Sequence, residues 1–188
     1  MMATTHAFAG LSLAVALVMA VPTLAPALAL AAAVGALAGG LFPDLDLVAT
    51  HRRTLHFPVG YWLVAVPATV VAALAPTPAT VGAALFLLSA AVHSTSDVIG
   101  GGLETRPWLG TSDKAVYLHV RGRWLAPRQW IRYDGAPEDF AVGALFAAPA
   151  LLVFDGQLRL LLAAMLGASL LYTVFRKKLV EVAPERFL

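Results

Sequence analysis

Six apolar segments, roughly 6–21, 24–42, 59–75, 79–98, 138–154 and 157–176, take up most of this chain. Each is close to the roughly 20 residues that a helix needs to cross the hydrocarbon core of a bilayer. No other feature constrains the fold as tightly. A soluble domain would need far more surface charge, because only 13% of the 188 residues are charged, 60% are hydrophobic and mean hydropathy is +0.79. The sequence therefore predicts an all-α integral membrane protein, a single domain over residues 1–188 with about six transmembrane helices.

The connections between these segments are uneven. "VPTLAP" and "APTPAT" carry prolines that disfavour helix continuation, and "VFDGQ" marks a third short turn. The remaining two connections, about 43–58 and 99–137, are long and hold nearly all the polar chemistry. With six spans, both long loops and both termini share one side. Twelve of the thirteen lysines and arginines fall on that side: Arg52, Arg53, Arg106, Lys114, Arg121, Arg123, Arg128, Arg132, Arg176, Lys177, Lys178 and Arg186. Arg159 stands alone opposite. The positive-inside rule then places both termini and both long loops in the cytoplasm, with the chain in the inner or plasma membrane. Nothing basic precedes Arg52, so the first apolar segment is read as a span and not as a cleaved signal peptide.

Smaller signals refine this picture. Gly35 and Gly39 share one helix face, where small residues admit a close neighbour. "GGG" at 100–102 is expected to end the fourth helix, and "YDGAPEDF" to begin the fifth, with Pro137 in its first turn. In the long loop "KAVYLHV" alternates apolar and polar positions, and "QWIRY" follows after "RGRWLAP", which predicts a short β-hairpin on the membrane surface. Trp108, Tyr117, Trp124, Trp130 and Tyr133, interleaved with arginines, suit the headgroup level. The basic residues thus have a membrane explanation, and no nucleic-acid partner is expected.

The residues able to do chemistry gather on the same side. The chain has no cysteine, so disulfides and thiolate metal sites are excluded. All five histidines, with Asp44, Asp46 and Asp97, fall at or near the predicted cytoplasmic face. In "HSTSD" the four-residue spacing puts His93 and Asp97 on one helix face, where they can share a metal ion or lock a helix end by hydrogen bonding. In "PDLD" Asp44 and Asp46 can hold a cation or cap a helix. His51 and His56 follow in "HRRTLH", and Arg52 or Arg53 offers a forked contact for a phosphate.

The order and spacing of "TTHAFAG", "PDLD", "HRRTLH" and "HSTSD" resemble the YdjM-like family of inner-membrane metal-dependent hydrolases, from His6 to about Trp108. "GGGLETRPW" is similar to the segment that follows the last motif in that family. The resemblance implies a divalent-metal hydrolase whose ligands correspond to His6, Asp44, Asp46, His51, His56, His93 and Asp97. Leu47, Arg53 and Phe57 depart from the pattern, standing where the family often has histidine, glycine and serine.

The expected function is hydrolysis of a phosphoester of a membrane lipid or lipid-linked substrate at the cytoplasmic interface. Asp44, His56, His93 and Asp97 lead as metal ligands, with Asp46 and His51 also capable. His6, His51 and Asp46 are the candidates for general base or orienting group, and Arg52, Arg53 and Arg106 for substrate binding. Nitrogen and oxygen donors favour zinc, with manganese or magnesium as alternatives. The rival reading is a metal-stabilised scaffold or a divalent-metal carrier. A carrier would place polar groups near the midplane, and the third, fifth and sixth spans have almost none.

Overall fold

A computed structural model describes residues 1–182; Arg186, counted above with the basic tail, lies outside the described residues. Six α-helices form the body: α1 (Ala3–Ala20), α2 (Pro26–Leu41), α3 (Gly60–Leu74), α4 (Pro78–Ser96), α5 (Pro137–Val153) and α6 (Gly156–Val182). The short turns fall where proline and glycine place them. Thr77 and Thr80 form a reciprocal cap at the start of α4, and Gly156, at φ 56°, opens α6 directly after α5.

Among the described residues four stretches are long and apolar enough to cross a membrane: Ala3–Ala20, Pro26–Val48, Pro78–Ile99 and Gly156–Val182. The other two of the six expected spans fall short of that length. The 15-residue α3 rises only about 22 Å at the helical pitch. The 17-residue α5 carries Glu138 and Asp139 in its first turn, so its apolar part is shorter still.

The core is built mainly from small side chains. Phe8, Leu11 and Ala14 of α1 meet Ala32, Ala33 and Ala36 of α2, Ala84 and Leu85 of α4, and Ala147 and Ala150 of α5. Glycines bring the backbones together as their spacing predicts. A Cβ on Gly35 would overlap the Gly82 carbonyl of α4, and one on Gly39 would overlap the Phe86 carbonyl. The bundle exterior is apolar, with Leu63 70% and Leu152 82% exposed. Helix α6 buries few residues, among them Leu162 and Ser169, and meets α1 through the Ser169 hydroxyl, which donates to Thr4 Oγ1 at 2.7 Å.

The hairpin is present, but its second strand differs from part of the expectation. Strand β1 (Val116–Leu118) pairs antiparallel with β2 (Arg123–Leu125), which lies within "RGRWLAP", and Tyr117 sits opposite Trp124. Gly122, at φ 59°, supplies the left-handed residue that closes the turn. "QWIRY" instead runs beside the end of α4: the amides of Arg128, Gln129 and Ile131 donate to the carbonyls of Val98, Gly100 and Ile99. A left-handed Gln129 (φ 54°) breaks regular strand geometry there.

These packings predict a contrast between two glycines. Gly39→Ala is expected to cost about 1–3 kcal/mol, the usual range for overpacking. Gly167→Ala, on α6 with open space around it, should be neutral or stabilising by up to about 1 kcal/mol. Thermal unfolding in detergent measures both.

Candidate metal centre

The site lies at the end of the bundle where α1 begins and α2 and α4 finish. His6 comes from the first turns of α1. Asp44 and Asp46 sit in the 3-10 turn Phe42–Val48 that continues α2. His93 and Asp97 lie on the last turn of α4 and just beyond it. His51 and His56 arrive on the loop that leads to α3. His6, Asp46, His56, His93 and Asp97 are all buried, at 1% exposure or less.

Asp46 organises the loop. Its Oδ1 accepts from His51 Nδ1 at 2.8 Å and from the Arg52 amide at 3.3 Å. Its Oδ2 accepts from His56 Nδ1 at 3.0 Å and from the amides of Leu55 (3.1 Å) and Arg53 (3.3 Å). One buried carboxylate thereby folds residues 51–56 around itself, and charge-assisted bonds of this kind are the stronger ones. The loop also requires Arg52 to adopt φ 57°, a left-handed conformation uncommon for arginine. The arginine side chain then points inward, where Nη1 donates to the carbonyls of Gly101 (2.8 Å) and Ala115 (3.4 Å) and Nε lies 3.8 Å from Asp97 Oδ1.

The outer bonds fix the tautomers of two histidines. His93 Nδ1 lies 2.7 Å from the Gly40 carbonyl, which can only accept, so Nδ1 carries the proton. His56 Nδ1 donates to Asp46 in the same way. In the neutral rings both Nε2 atoms therefore present lone pairs, and they face each other at 3.2 Å. Asp44 Oδ1 lies 3.4 Å from His93 Nε2 and 3.7 Å from His56 Nε2. Asp97 Oδ2 lies 3.0 Å from His56 Nε2 and 3.6 Å from His93 Nε2, with no well-aligned hydrogen bond of its own.

Four proton acceptors thus converge on one point, and such an arrangement demands a cation between them. A proton can serve: burial opposes charge on His56, but the carboxylates of Asp97 and Asp46 raise its pKa above the ordinary histidine value. A metal ion can serve as well. Asp44, His56 and His93 form one group able to hold it, and His6, His93 and Asp97 another.

The remaining candidates occupy distinct places. His6 stacks on His93, with ring centres 3.7 Å apart, and its Nε2 lies 3.1 Å from Asp97 Oδ1. His51 stands at the edge, its ring 5.6 Å from that of His56, and its side chain keeps 28% of its exposure. Burial holds the His51 pKa below the ordinary value despite the Asp46 bond, with the Arg52 charge adding to the effect. Arg53 is exposed and stacks on Tyr117 at 4.4 Å, and Arg106 is exposed. The fifth histidine, His119, stacks on Phe57 at 4.5 Å, away from the cluster. Sequence reasoning missed Gly40, whose contribution is a backbone carbonyl, and Ser96, whose hydroxyl lies 3.2 Å from His6 Nδ1. Residue type carries no signal for the first; the second was visible only as the middle of "HSTSD".

A cleft of about 710 Å³ opens beside the cluster, and Asp44, His51 and Arg52 form part of its wall. Among the clustered acceptors, Asp44 is the one that reaches solvent, with 17% of its side chain exposed. Comparison with protein-family models, with characterised proteins and with solved structures gave no match.

Asp46 tests this organisation. If the group holds a divalent ion, Asp46→Asn is expected to weaken its binding roughly 10–100-fold, the usual loss when a group orienting a ligand is removed. His119→Ala should leave it unchanged. Competitive titration of detergent-purified protein against a zinc-binding dye measures both affinities.

Proposed function

We propose that this chain is a multi-pass membrane enzyme that uses a divalent metal ion to hydrolyse a phosphoester of a membrane lipid or lipid-linked molecule. The observation that carries the reading is the convergence of four acceptor atoms, from Asp44, His56, His93 and Asp97, at the edge of an open cleft. The motif order of the same residues, which resembles that of the YdjM-like hydrolases, agrees with it.

Zinc suits the donor set best. Ligand atoms about 2.0–2.1 Å from a tetrahedral zinc ion stand about 3.3 Å from one another. The five separations given above run from 3.0 to 3.7 Å. Magnesium prefers octahedral oxygen sites that keep several waters, and manganese likewise leans to oxygen.

A divalent cation in this position supplies charge beside the phosphoryl oxygens and lowers the pKa of a neighbouring water. The chain's own groups supply the rest. His51 is the general base: Asp46 holds its Nδ1–H at 2.8 Å, which leaves Nε2 as the acceptor. Its lowered pKa keeps the ring neutral at pH 7. His6 braces Asp97 through its other oxygen, Oδ1, leaving Oδ2 toward His56 and His93. Arg52 lines the cleft wall, but its guanidinium is turned inward to the carbonyls of Gly101 and Ala115 and toward Asp97, so its charge acts on the cluster and not on a substrate; Arg53 and Arg106 are not among the cleft-lining residues.

In this reading all six helices cross the bilayer, with α3 and α5 accommodated by local thinning. The basic residues then put both termini, the loops and the metal centre at the cytoplasmic face of the inner or plasma membrane. A metal-stabilised scaffold is the second reading, favoured by the complete burial of His56 and His93. The location of the cluster at one end of the bundle counts against a carrier.

Metal analysis, with assays of headgroup release from a panel of phospholipids and of phosphate release from polyprenyl phosphates, separates these readings. Wild type is expected to carry zinc and release headgroup or phosphate, whereas His93→Ala and Asp97→Ala lose both metal and activity. His51→Ala should keep its metal and lose about 10²–10⁴-fold in rate, the usual contribution of a general base. Metal without any release in wild type favours the scaffold; equally little metal in all variants removes the metal centre altogether.

A further inference from the structure

We propose that the turn of the β1–β2 hairpin docks on the surface of an anionic bilayer, with Val120 entering the headgroup layer and Arg121 and Arg123 meeting its negative charge. The inference rests on the membrane reading above. It needs neither the metal nor the hydrolase.

The hairpin is tied to the protein along one side, so its outer face is preformed. The Tyr117 amide donates to the Arg52 carbonyl at 2.9 Å, and the Ala115 carbonyl accepts from Arg52 Nη1 at 3.4 Å. The Arg53 guanidinium stacks on Tyr117, and the His119 ring stacks on Phe57. Ala115 and Val116 are buried. The turn is what faces outward: Val120 is 65% exposed, and Arg121 and Arg123 are exposed beside it.

Depth follows from α3. His119 and Val120 border a small pocket with Pro58, Val59 and Gly60, so the turn stands at the start of that helix. About 3 Å along the axis from Gly60, Trp62 is part-exposed, and Leu63, Val64 and Val66 then face outward. A tryptophan followed by an apolar outward face marks the passage from headgroups to acyl chains. The turn therefore lies at headgroup level, and Val120 is its apolar tip.

Charge selects the kind of surface. From Asp113 to Trp130 the chain has four basic residues and one acid. Among the described residues the arginine–carboxylate pairs are Arg52–Asp97, Arg132–Glu138 and Arg176–Asp134, so Arg121 and Arg123 have no carboxylate of their own. A basic residue beside an anionic membrane strengthens the contact about fivefold. An acidic protein would meet the same charge, but it would not account for a turn set level with the outward apolar face of α3.

The chain has no cysteine, so Val120→Cys carrying the environment-sensitive dye NBD reports on the turn alone. The labelled protein is placed in nanodiscs of phosphatidylcholine, with and without phosphatidylglycerol, and quenched by a lipid bearing a nitroxide at its headgroup. Quenching is expected to be roughly fivefold stronger in the anionic nanodiscs and to fall to the neutral level in high salt. Arg121→Glu with Arg123→Glu should abolish the gain. Arg121→Lys with Arg123→Lys should keep most of it, which separates lost charge from lost folding. Equal quenching in the two bilayers, or a gain that resists salt or survives charge reversal, would overturn the proposal. So would a gain confined to nanodiscs that hold two chains, which would seat a second copy on this face. Metal content is measured on the same samples: a docked turn on metal-free protein defeats the hydrolase and leaves this inference standing. A chain that never enters the nanodiscs removes the membrane reading and this inference together.

Discussion

The close approach of α2 to α4 is the constraint on which the rest of the site depends. Gly35 and Gly39 let the α2 backbone lie against the carbonyls of Gly82 and Phe86, where no side chain would fit. One residue further on, the Gly40 carbonyl meets His93 Nδ1 at 2.7 Å. That bond decides which His93 nitrogen is free, and so which atom faces His56, Asp44 and Asp97. A spacing of small residues, legible as ordinary helix packing, thereby controls the protonation pattern of a buried imidazole.

Asp46 extends the same logic to the loop. Five donors converge on its two oxygens, three from backbone amides and two from histidines. The carboxylate could not remain buried without them, and the loop could not hold a left-handed Arg52 without such an anchor. The result separates the two aspartates of "PDLD" by role: Asp44 reaches into the acceptor cluster and toward the cleft, while Asp46 turns back to shape the chain that delivers His51 and His56.

Much of this was legible in the sequence because the periodicities are strong. The helices, their proline-marked turns, the presence of a hairpin in the long loop and the grouping of His6, Asp44, His56, His93 and Asp97 all follow from spacing and from the distribution of charge. Two features were not legible. The hairpin's second strand depended on which of two aromatic segments the end of α4 would recruit, and that is a tertiary choice made by the carbonyls of residues 98–100. The inward course of Arg52 rests on a backbone angle, φ 57°, that residue type argues against. Arginine in "HRRTLH" reads naturally as a solvent-facing phosphate contact, yet its guanidinium is largely occupied by two loop carbonyls.

The placement of the cluster also bears on what a cation there can do. Three carboxylates, Asp44, Asp46 and Asp97, lie close together at the end of an apolar bundle, with Arg52 the nearest guanidinium and protonatable imidazoles around them. Desolvation makes that excess of negative charge costly. A proton on His56 offsets part of it, and a divalent ion would displace that proton and offset more. The same ion would hold α2, α4 and the 51–56 loop in one geometry, so ion binding and stability would be coupled through a single charge balance. Asp44 is the acceptor of this group that faces the cleft, so a bound ion would be open to solvent on that side while the buried histidines keep their outer bonds.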